Sequence, residues 1–166
     1  MKKTVIIYGS TTGTCESLAG KIGEQLGVGV DVLSAAGLDG SVLDAADNLI
    51  LGTSTWGSGD IQDDWADALG TLRSANLAGK TVALFGCGDS LSYPDTFCGG
   101  MAALYEAVKA AGANVVGAVS PDGYTYIDSA SIVDGKFVGL ALDEDNESDK
   151  TDGRIAAWVA EILPQL

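Results

Sequence analysis

The sequence predicts an α/β domain with a doubly wound, five-stranded parallel sheet and helices on both faces. Short apolar runs rich in β-branched residues alternate with stretches whose apolar residues recur at helical spacing. Such runs are typical of parallel strands buried on both faces. Because about 150 residues make a typical domain, residues 1–166 are predicted to form a single domain.

The strands are predicted at residues 5–8, 28–33, 48–51, 82–85 and 115–119. The helices follow from four apolar stripes: Leu18, Ile22 and Leu26; Trp65, Leu69 and Leu72; Met101, Leu104, Val108 and Ala111; and Ile155, Val159 and Ile162. Residues 34–47 are predicted to be a loop with a weak helical piece. Residues 120–149 are predicted to form an insertion between the fifth strand and the last helix, with extra strand fragments at 124–127 and 137–142.

The composition excludes several function classes. The chain has 9 Lys and Arg against 23 Asp and Glu, and it has no histidine. The net charge of −14 argues against nucleic-acid binding, and the absence of histidine excludes His-based triads and His-ligated metals. The three cysteines form no C-x-x-C, so neither a disulfide framework nor a metal site is expected. No apolar run near the start is long enough for a signal peptide or membrane span, so a cytoplasmic protein without membrane association is expected.

The candidate site lies in the loops after the first, third and fourth predicted strands, because ligands of open α/β sheets bind beyond the carboxyl ends of strands. The first loop, residues 9–16, has two glycines and four hydroxyls and leads into a helix. Hydroxyls and free N–H groups at a helix N-terminus can hold a phosphate. The alternative is a simple N-capping turn. The loop lacks both the Walker G-K-[ST] and G-x-G-x-x-G.

The second and third loops each carry an aromatic residue among small polar ones. Trp56 stands in the loop of residues 53–60, and Tyr93 stands in the loop of residues 86–97. Either ring can stack on a planar ligand. Alternatively, Trp56 folds back over its own loop and Tyr93 marks a helix entry. Taken together, the three loops favour a flat ligand with a phosphate group.

These motifs resemble those of the flavodoxins, small electron carriers that contain FMN. Residues 10–15 resemble the family's phosphate signature [TS]-x-T-G-x-T, and S-T-W-G and G-D-x-x-x-Y-P-D-x-F resemble its two isoalloxazine loops. The insertion resembles that of the long-chain subgroup. The resemblance implies the strand order 2-1-3-4-5, which is the order described for flavodoxin itself. It also implies a low-potential carrier with non-covalently bound FMN, rather than an enzyme with catalytic residues.

The resemblance also implies the residues of the FMN site. Trp56 and Tyr93 would enclose the flavin ring, and the Gly57-Ser58 peptide would turn its carbonyl toward flavin N5 and stabilise a neutral semiquinone. Cys15 replaces the last threonine of the signature, so a weaker S–H donor and weaker FMN binding are expected. The full set is Ser10, Thr11, Thr12, Gly13, Thr14, Cys15, Thr55, Trp56, Gly57, Ser58, Cys87, Gly88, Asp89, Tyr93, Asp95 and Thr96.

Acidic residues stand in or near these loops: Asp60, Asp63, Asp64, Asp89 and Asp95. A charge ~8 Å from the flavin contributes roughly 1–2 kcal/mol at an effective dielectric of 20–40. Each carboxylate is therefore expected to lower the second reduction potential by tens of millivolts. The acidic cluster at 143–149 is expected to be solvated surface, and the alternative is a docking surface for a basic reductase or acceptor.

The acidity also favours basic redox proteins as partners, namely a reductase-type donor and an oxidoreductase or nitrogenase-type acceptor. A small diffusing carrier is expected to be a monomer. One alternative stays open, an FMN-dependent NAD(P)H:quinone-type reductase of the same fold. A receiver-like signalling domain is disfavoured, because Tyr8-Gly9-Ser10 lacks the paired acids that it needs.

Overall fold

The computed structural model describes residues 2–27, 29–56 and 59–166. The strands are β1 (Thr4–Gly9), β2 (Asp31–Ser34), β3 (Asn48–Trp56), β4 (Asp60–Ile61), β5 (Thr81–Cys87), β6 (Asn114–Val116), β7 (Ile132–Val133), β8 (Lys136–Phe137) and β9 (Leu140–Leu142). The helices are α1 (Thr14–Leu26), α2 (Gly40–Ala45), α3 (Trp65–Ser74), α4 (Gly100–Ala110) and α5 (Glu144–Ile162), and a 3-10 turn follows at Leu163–Gln165.

The main sheet is parallel and has the order β2-β1-β3-β5-β6. This is the predicted 2-1-3-4-5 order, because β4 only extends β3 as a short antiparallel partner. The second strand begins at Asp31, later than predicted, and Val28 lies outside the described residues. The weak helical piece predicted within 34–47 is α2.

Helices cover both faces of the sheet, as predicted. Successive strand residues point to opposite faces, so Val5 and Ile7 lie in one apolar cluster and Ile6 lies in the other. The first cluster includes buried residues of α3 and α4, and the second includes buried residues of α1 and α5. With both faces covered, the ends of the strands are left to carry the site.

The insertion lies inside the fifth strand rather than after it. β6 pairs with residues 81–83 of β5, and β9 pairs in parallel with residues 85–87 of the same strand. The chain leaves the sheet at Gly117, whose φ of 84° favours glycine. The predicted fifth strand therefore ends at Val116 and resumes as β9.

Two predicted fragments of the insertion differ from the structure. Residues 124–127 form no strand, because Tyr124 is committed to tertiary contacts: its hydroxyl donates to the Ala141 carbonyl at 2.8 Å, and its ring packs on Phe137. The 137–142 fragment is divided between β8 and β9. β7 and β8 form a small hairpin that the sequence pattern did not reveal.

Candidate functional site

The three predicted loops border one cavity of about 240 Å³ at the carboxyl edge of the sheet. Residues from each loop line the cavity, together with one residue from the first turn of α5. They are Thr12, Thr14, Ser54, Thr55, Trp56, Cys87, Gly88, Asp89, Tyr93, Thr96 and Asp145. The sequence predicts all of these except Ser54 and Asp145. Asp145 was not predicted because it is far from the three loops in the sequence, and only folding brings the start of α5 beside them.

The first loop is built to leave the N-terminus of α1 open. Gly13 occupies the N-cap with φ 90°, and within the described residues no side chain caps this helix. The Gly13 N–H donates to Ser10 Oγ at 3.2 Å, while Thr12 and Thr14 line the cavity. The hydroxyls therefore do not act as helix caps, which disfavours the N-capping alternative. Free N–H groups and the positive helix end are suited to an anion.

Cys15 is placed differently from the sequence expectation. Its side chain is fully buried in the cluster that includes Ile6, Leu18 and Cys87, and it does not line the cavity. A residue in the second position of α1 can face the core while its backbone faces the helix end. The thiol is therefore not placed as an S–H donor to a phosphate.

The second loop presents Trp56 to the cavity with 43% of its surface exposed. Its indole Nε1 donates to Ser54 Oγ at 2.9 Å, so the ring is held by its own loop and still offers an open face. Thr55 Oγ1 accepts from the Gly100 N–H at 3.0 Å, which ties this loop to the start of α4. Gly57 and Ser58 lie outside the described residues, so the structure does not address the predicted peptide at flavin N5.

The third loop is shaped by Asp89. Its Oδ1 accepts from the N–H groups of Leu91 and Ser92 and from Asn146 Nδ2. The backbone N–H of Ser92 and the side chain of Asn146 hold the pKa of Asp89 below its usual value. Tyr93 borders the cavity and is 56% exposed. It does not mark a helix entry, because α4 begins only at Gly100.

The acidic cluster at 143–149 is not simply solvated surface. Asp143 is fully buried, and its carboxylate accepts from the N–H and hydroxyl of Ser90 and from Asn146. Carboxylate oxygens of Asp89, Asp143 and Asp145 lie within 4.8 Å of one another. Partial burial, together with the charges of Asp89, Asp143 and Glu144, raises the pKa of Asp145.

The acids that line the cavity differ from those expected. Asp89 and Asp145 line it, whereas Asp60, Asp63, Asp64 and Asp95 do not. Asp64 instead contacts Gln62, since its Oδ2 accepts from Gln62 Nε2 at 3.1 Å. Of the predicted site residues, Ser10, Thr11 and Gly13 also lie in the loops without lining the cavity.

The pKa values of two buried cysteines near the cavity, Cys87 and Cys98, are both raised. A hydrogen bond with Cys15, together with burial, raises the pKa of Cys87, which lines the cavity and is 7% exposed. Burial also raises the pKa of Cys98, whose Sγ contacts the carbonyls of Gly86 and Leu142 at 3.7 Å. A raised pKa disfavours the thiolate that thiol chemistry requires.

The arrangement fits a flat ligand with an anionic end. Hydroxyls and an uncapped helix N-terminus supply neutral donors at one end of the cavity, and Trp56 and Tyr93 supply aromatic faces. None of the described residues that line the cavity is basic, so backbone and hydroxyl donors would carry the anion recognition. Within the described residues, no helix combines the length and apolar composition needed to cross a bilayer.

Comparison with known proteins gives consistent matches. The family model described as Flavodoxin matches residues 6–158. The chain is 42% identical to Flavodoxin 1 of Azotobacter vinelandii, with 99% of each chain covered. It is also 42% identical to a flavodoxin of a Nostoc species, covering 97% of this chain and 95% of that one.

Solved structures agree with the sequence matches. The chain resembles the Fusobacterium nucleatum flavodoxin bound to flavin mononucleotide, with a TM-score of 0.95 and 34% identity over 100% of this chain and 99% of that one. It also resembles the oxidised Flavodoxin 2 of Bacillus cereus, with a TM-score of 0.77 and 27% identity over 99% of each chain.

Proposed function

The chain belongs to the flavodoxin family and is an FMN-binding electron carrier; on this premise we propose that it binds FMN in the cavity between the three loops and passes single electrons at low potential. The observation that carries the proposal is the meeting of an uncapped helix N-terminus with two exposed aromatic rings at one cavity. Residues 1–166 act as one FMN-binding domain in this proposal.

The phosphate of FMN is assigned to the first loop and the ring to the other two. Hydroxyls of residues 10–14 and N–H groups at the start of α1 would receive the phosphate. Trp56 and Tyr93 would pack on the ring. Thr55, Cys87, Gly88, Asp89, Asp95 and Thr96 are proposed near its edge, as are Gly57 and Ser58 on sequence grounds alone. The Cys15 contribution is restricted to its backbone N–H.

FMN supplies the redox chemistry when bound, because its ring accepts and releases electrons singly. The residues of this chain set how readily it does so. Aromatic walls exclude water and disfavour added negative charge on the ring. The Asp89 carboxylate, whose pKa is lowered by its hydrogen bonds, acts in the same direction.

The quinone-type reductase is not favoured as an alternative. Such an enzyme needs space above the flavin ring for a second substrate. Trp56 and Tyr93 both border the cavity, and rings stacked on both faces of the flavin would leave only its edge for electron exit. The net charge of −14 also suits docking of a basic protein better than binding of an anionic nicotinamide dinucleotide.

The surface beside the cavity suits a basic protein partner with an apolar centre. Leu91 and Ile127 are each 72% exposed, and the Ile127 N–H donates to the Pro94 carbonyl at 2.8 Å, so the insertion lies against the third loop. Exposed Asp95 and Asp128 adjoin these residues. Apolar contact would give affinity, and the carboxylates would steer a basic reductase or oxidoreductase.

The cysteines and the net charge bear on the cellular compartment and the oligomeric state of the protein. We assign the chain to the cytoplasm as a monomer, since Cys15, Cys87 and Cys98 are all free thiols, as is usual in reducing compartments. The large negative charge disfavours self-association.

An absorption spectrum of the purified protein tests the assignment. We expect flavin bands, release of unmodified FMN by acid, and no NADPH oxidation by the protein alone. A colourless protein that leaves added FMN unbound would contradict the FMN proposal, and rapid NADPH oxidation would favour the reductase.

Electron transfer to cytochrome c, a basic haem protein, tests the charge of the partner. We expect the rate to fall steeply as ionic strength rises. Succinylated cytochrome c, in which the lysines carry negative charge, is the matched control and should react slowly, at a rate that rises with ionic strength because salt screens the repulsion between like charges. Equal rates with the two forms would contradict docking through charge.

A further inference from the structure

We propose that Gln62 is a positioning residue that fixes the Thr11 hydroxyl as a hydrogen-bond donor to the phosphate of FMN. The proposal rests on the assignment of the phosphate to the first loop. Sequence motifs single out neither this role nor this residue, because Gln62 stands in the turn between β4 and α3, 51 positions from Thr11.

The Gln62 side chain is a buried polar connection between two loops. Gln62 is 2% exposed, and its Nε2 donates to Thr11 Oγ1 at 3.0 Å and to Asp64 Oδ2 at 3.1 Å. Its Oε1 accepts from the backbone N–H of Asp64 at 2.8 Å. Both hydrogens of the amide nitrogen are therefore used.

These partners determine which way the amide faces. The Asp64 N–H can only donate, so it must meet Oε1, and an ionised carboxylate can only accept, so it must meet Nε2. Thr11 Oγ1, on the nitrogen side of the amide, must consequently accept. A hydroxyl that accepts at its oxygen keeps its own hydrogen for another acceptor. Thr11 is exposed, so that hydrogen is available to a ligand.

Gly9 makes room for this arrangement. A Cβ at position 9 would lie 2.5 Å from Gln62 Oε1 and 2.5 Å from Cδ1 of the buried Trp65. Trp65 is itself fixed, because its Nε1 donates to the Gly52 carbonyl at 2.9 Å. The Gln62 amide is thus confined between β1 and α3 and cannot easily change its rotamer.

Gln62 also links the first loop to Trp56, one of the two aromatic residues that line the cavity. The Gln62 N–H donates to Thr53 Oγ1 at 3.2 Å, and Thr53 Oγ1 donates to the Ser54 carbonyl at 2.8 Å. Ser54 Oγ accepts from Trp56 Nε1. One continuous set of contacts therefore runs from Thr11 to Trp56.

Binding of FMN, riboflavin and inorganic phosphate to the apoprotein tests the proposal, because riboflavin lacks the phosphate. We expect Gln62→Met and Thr11→Val each to lower the FMN and phosphate affinities roughly tenfold, with riboflavin affinity changed less than about threefold. Thr11→Ser keeps the hydroxyl and should retain FMN affinity. The double variant should lose no more than either single change.

Other results would overturn the proposal. FMN affinity that is unchanged in both single variants, equal losses for FMN and riboflavin, or additive losses in the double variant would each do so. If Gln62→Met fails to fold, a comparison of Thr11→Val with Thr11→Ser still decides whether the Thr11 hydroxyl binds the phosphate, because Thr11 is exposed. A wild-type protein that binds neither FMN nor phosphate would instead refute the proposed function.

Discussion

The buried carboxylate of Asp143 accepts hydrogen bonds from both the N–H and the hydroxyl of Ser90. Asp143 also caps the N-terminus of α5 by accepting from the Asn146 N–H at 3.2 Å. One side chain therefore anchors the last helix and the third loop together. The loop that carries Tyr93 therefore depends on a residue that lies 53 positions after Ser90 in the chain.

Asp143→Ala is expected to lower the free energy of unfolding of the apoprotein by roughly 2–3 kcal/mol, because it removes a helix cap and leaves buried donors unsatisfied. Urea denaturation measures this. Ser90→Ala, which loses one hydroxyl, should cost only about 1 kcal/mol. Equal losses for the two variants would contradict the double role of Asp143.

Gly13→Ala is expected to lower stability by about 1–2 kcal/mol, because Gly13 has φ 90° and a side chain disfavours that conformation. Gly20→Ala on the same helix has open space around its Cβ and should raise stability by about 0.5–1 kcal/mol. Thermal unfolding of the two variants compares them. Effects of the same sign would count against the described geometry.

Tyr93→Ala is expected to weaken FMN and riboflavin binding by about tenfold each, since aromatic stacking contributes roughly 1–3 kcal/mol per ring. Inorganic phosphate should bind as before. Leu91→Ala removes an exposed side chain outside the cavity lining and serves as the control. Fluorescence titration gives all the constants, and an unaltered riboflavin constant in Tyr93→Ala would argue against stacking.

Asp145→Asn is expected to raise the potential of the second reduction of bound FMN by tens of millivolts, because it removes a charge beside the cavity. The shift should shrink as salt is added. Glu24→Gln makes the same charge change ten residues into α1, about 15 Å along the helix from its N-terminus. Spectroelectrochemical titration should find little change in the second reduction potential of this control. Equal changes in the two variants would contradict a local effect of the Asp145 charge.

Glu147→Gln is expected to destabilise the apoprotein at neutral pH and not at low pH. Hydrogen bonds from Lys150 and Arg154 lower the pKa of Glu147, so its stabilisation is present above the unfolded pKa and disappears as pH falls through the folded pKa. Exposed or partly exposed ion pairs contribute ~0.2–1 kcal/mol each. Denaturation at neutral and acidic pH should show the difference vanish in acid. A constant difference would contradict the linkage.

Local sequence patterns were sufficient for most of the strands and helices and for the three loops, because apolar periodicity and strand ends are visible in short stretches of sequence. The order of the strands in the sheet came from the resemblance to the flavodoxins. The Thr12, Trp56 and Tyr93 positions follow from short stretches. The contact between Asp143 and Ser90 does not, since it joins residues 53 apart through the fold. The acidic surroundings of Asp143 even suggested the opposite, a solvated surface.

The direction in which a side chain points was a second feature that the sequence did not predict. A motif placed Cys15 among phosphate-binding residues, yet the helix turns its thiol into the core. The predicted strand at 124–127 failed for a related reason, because alternating tyrosines resemble a strand until tertiary packing assigns their rings. Phe97, Tyr124, Tyr126 and Phe137 form one aromatic cluster instead.

The division of the fifth strand has a consequence for how this chain can vary. Val116 pairs with Ala83 and Leu140 pairs with Phe85, two residues apart on β5, so the segment between them leaves and rejoins the sheet within about 7 Å. The two ends of this segment therefore lie close together in the sheet. Insertions and deletions between them can therefore change its length while leaving the strand register and the spacing of the three loops as they are.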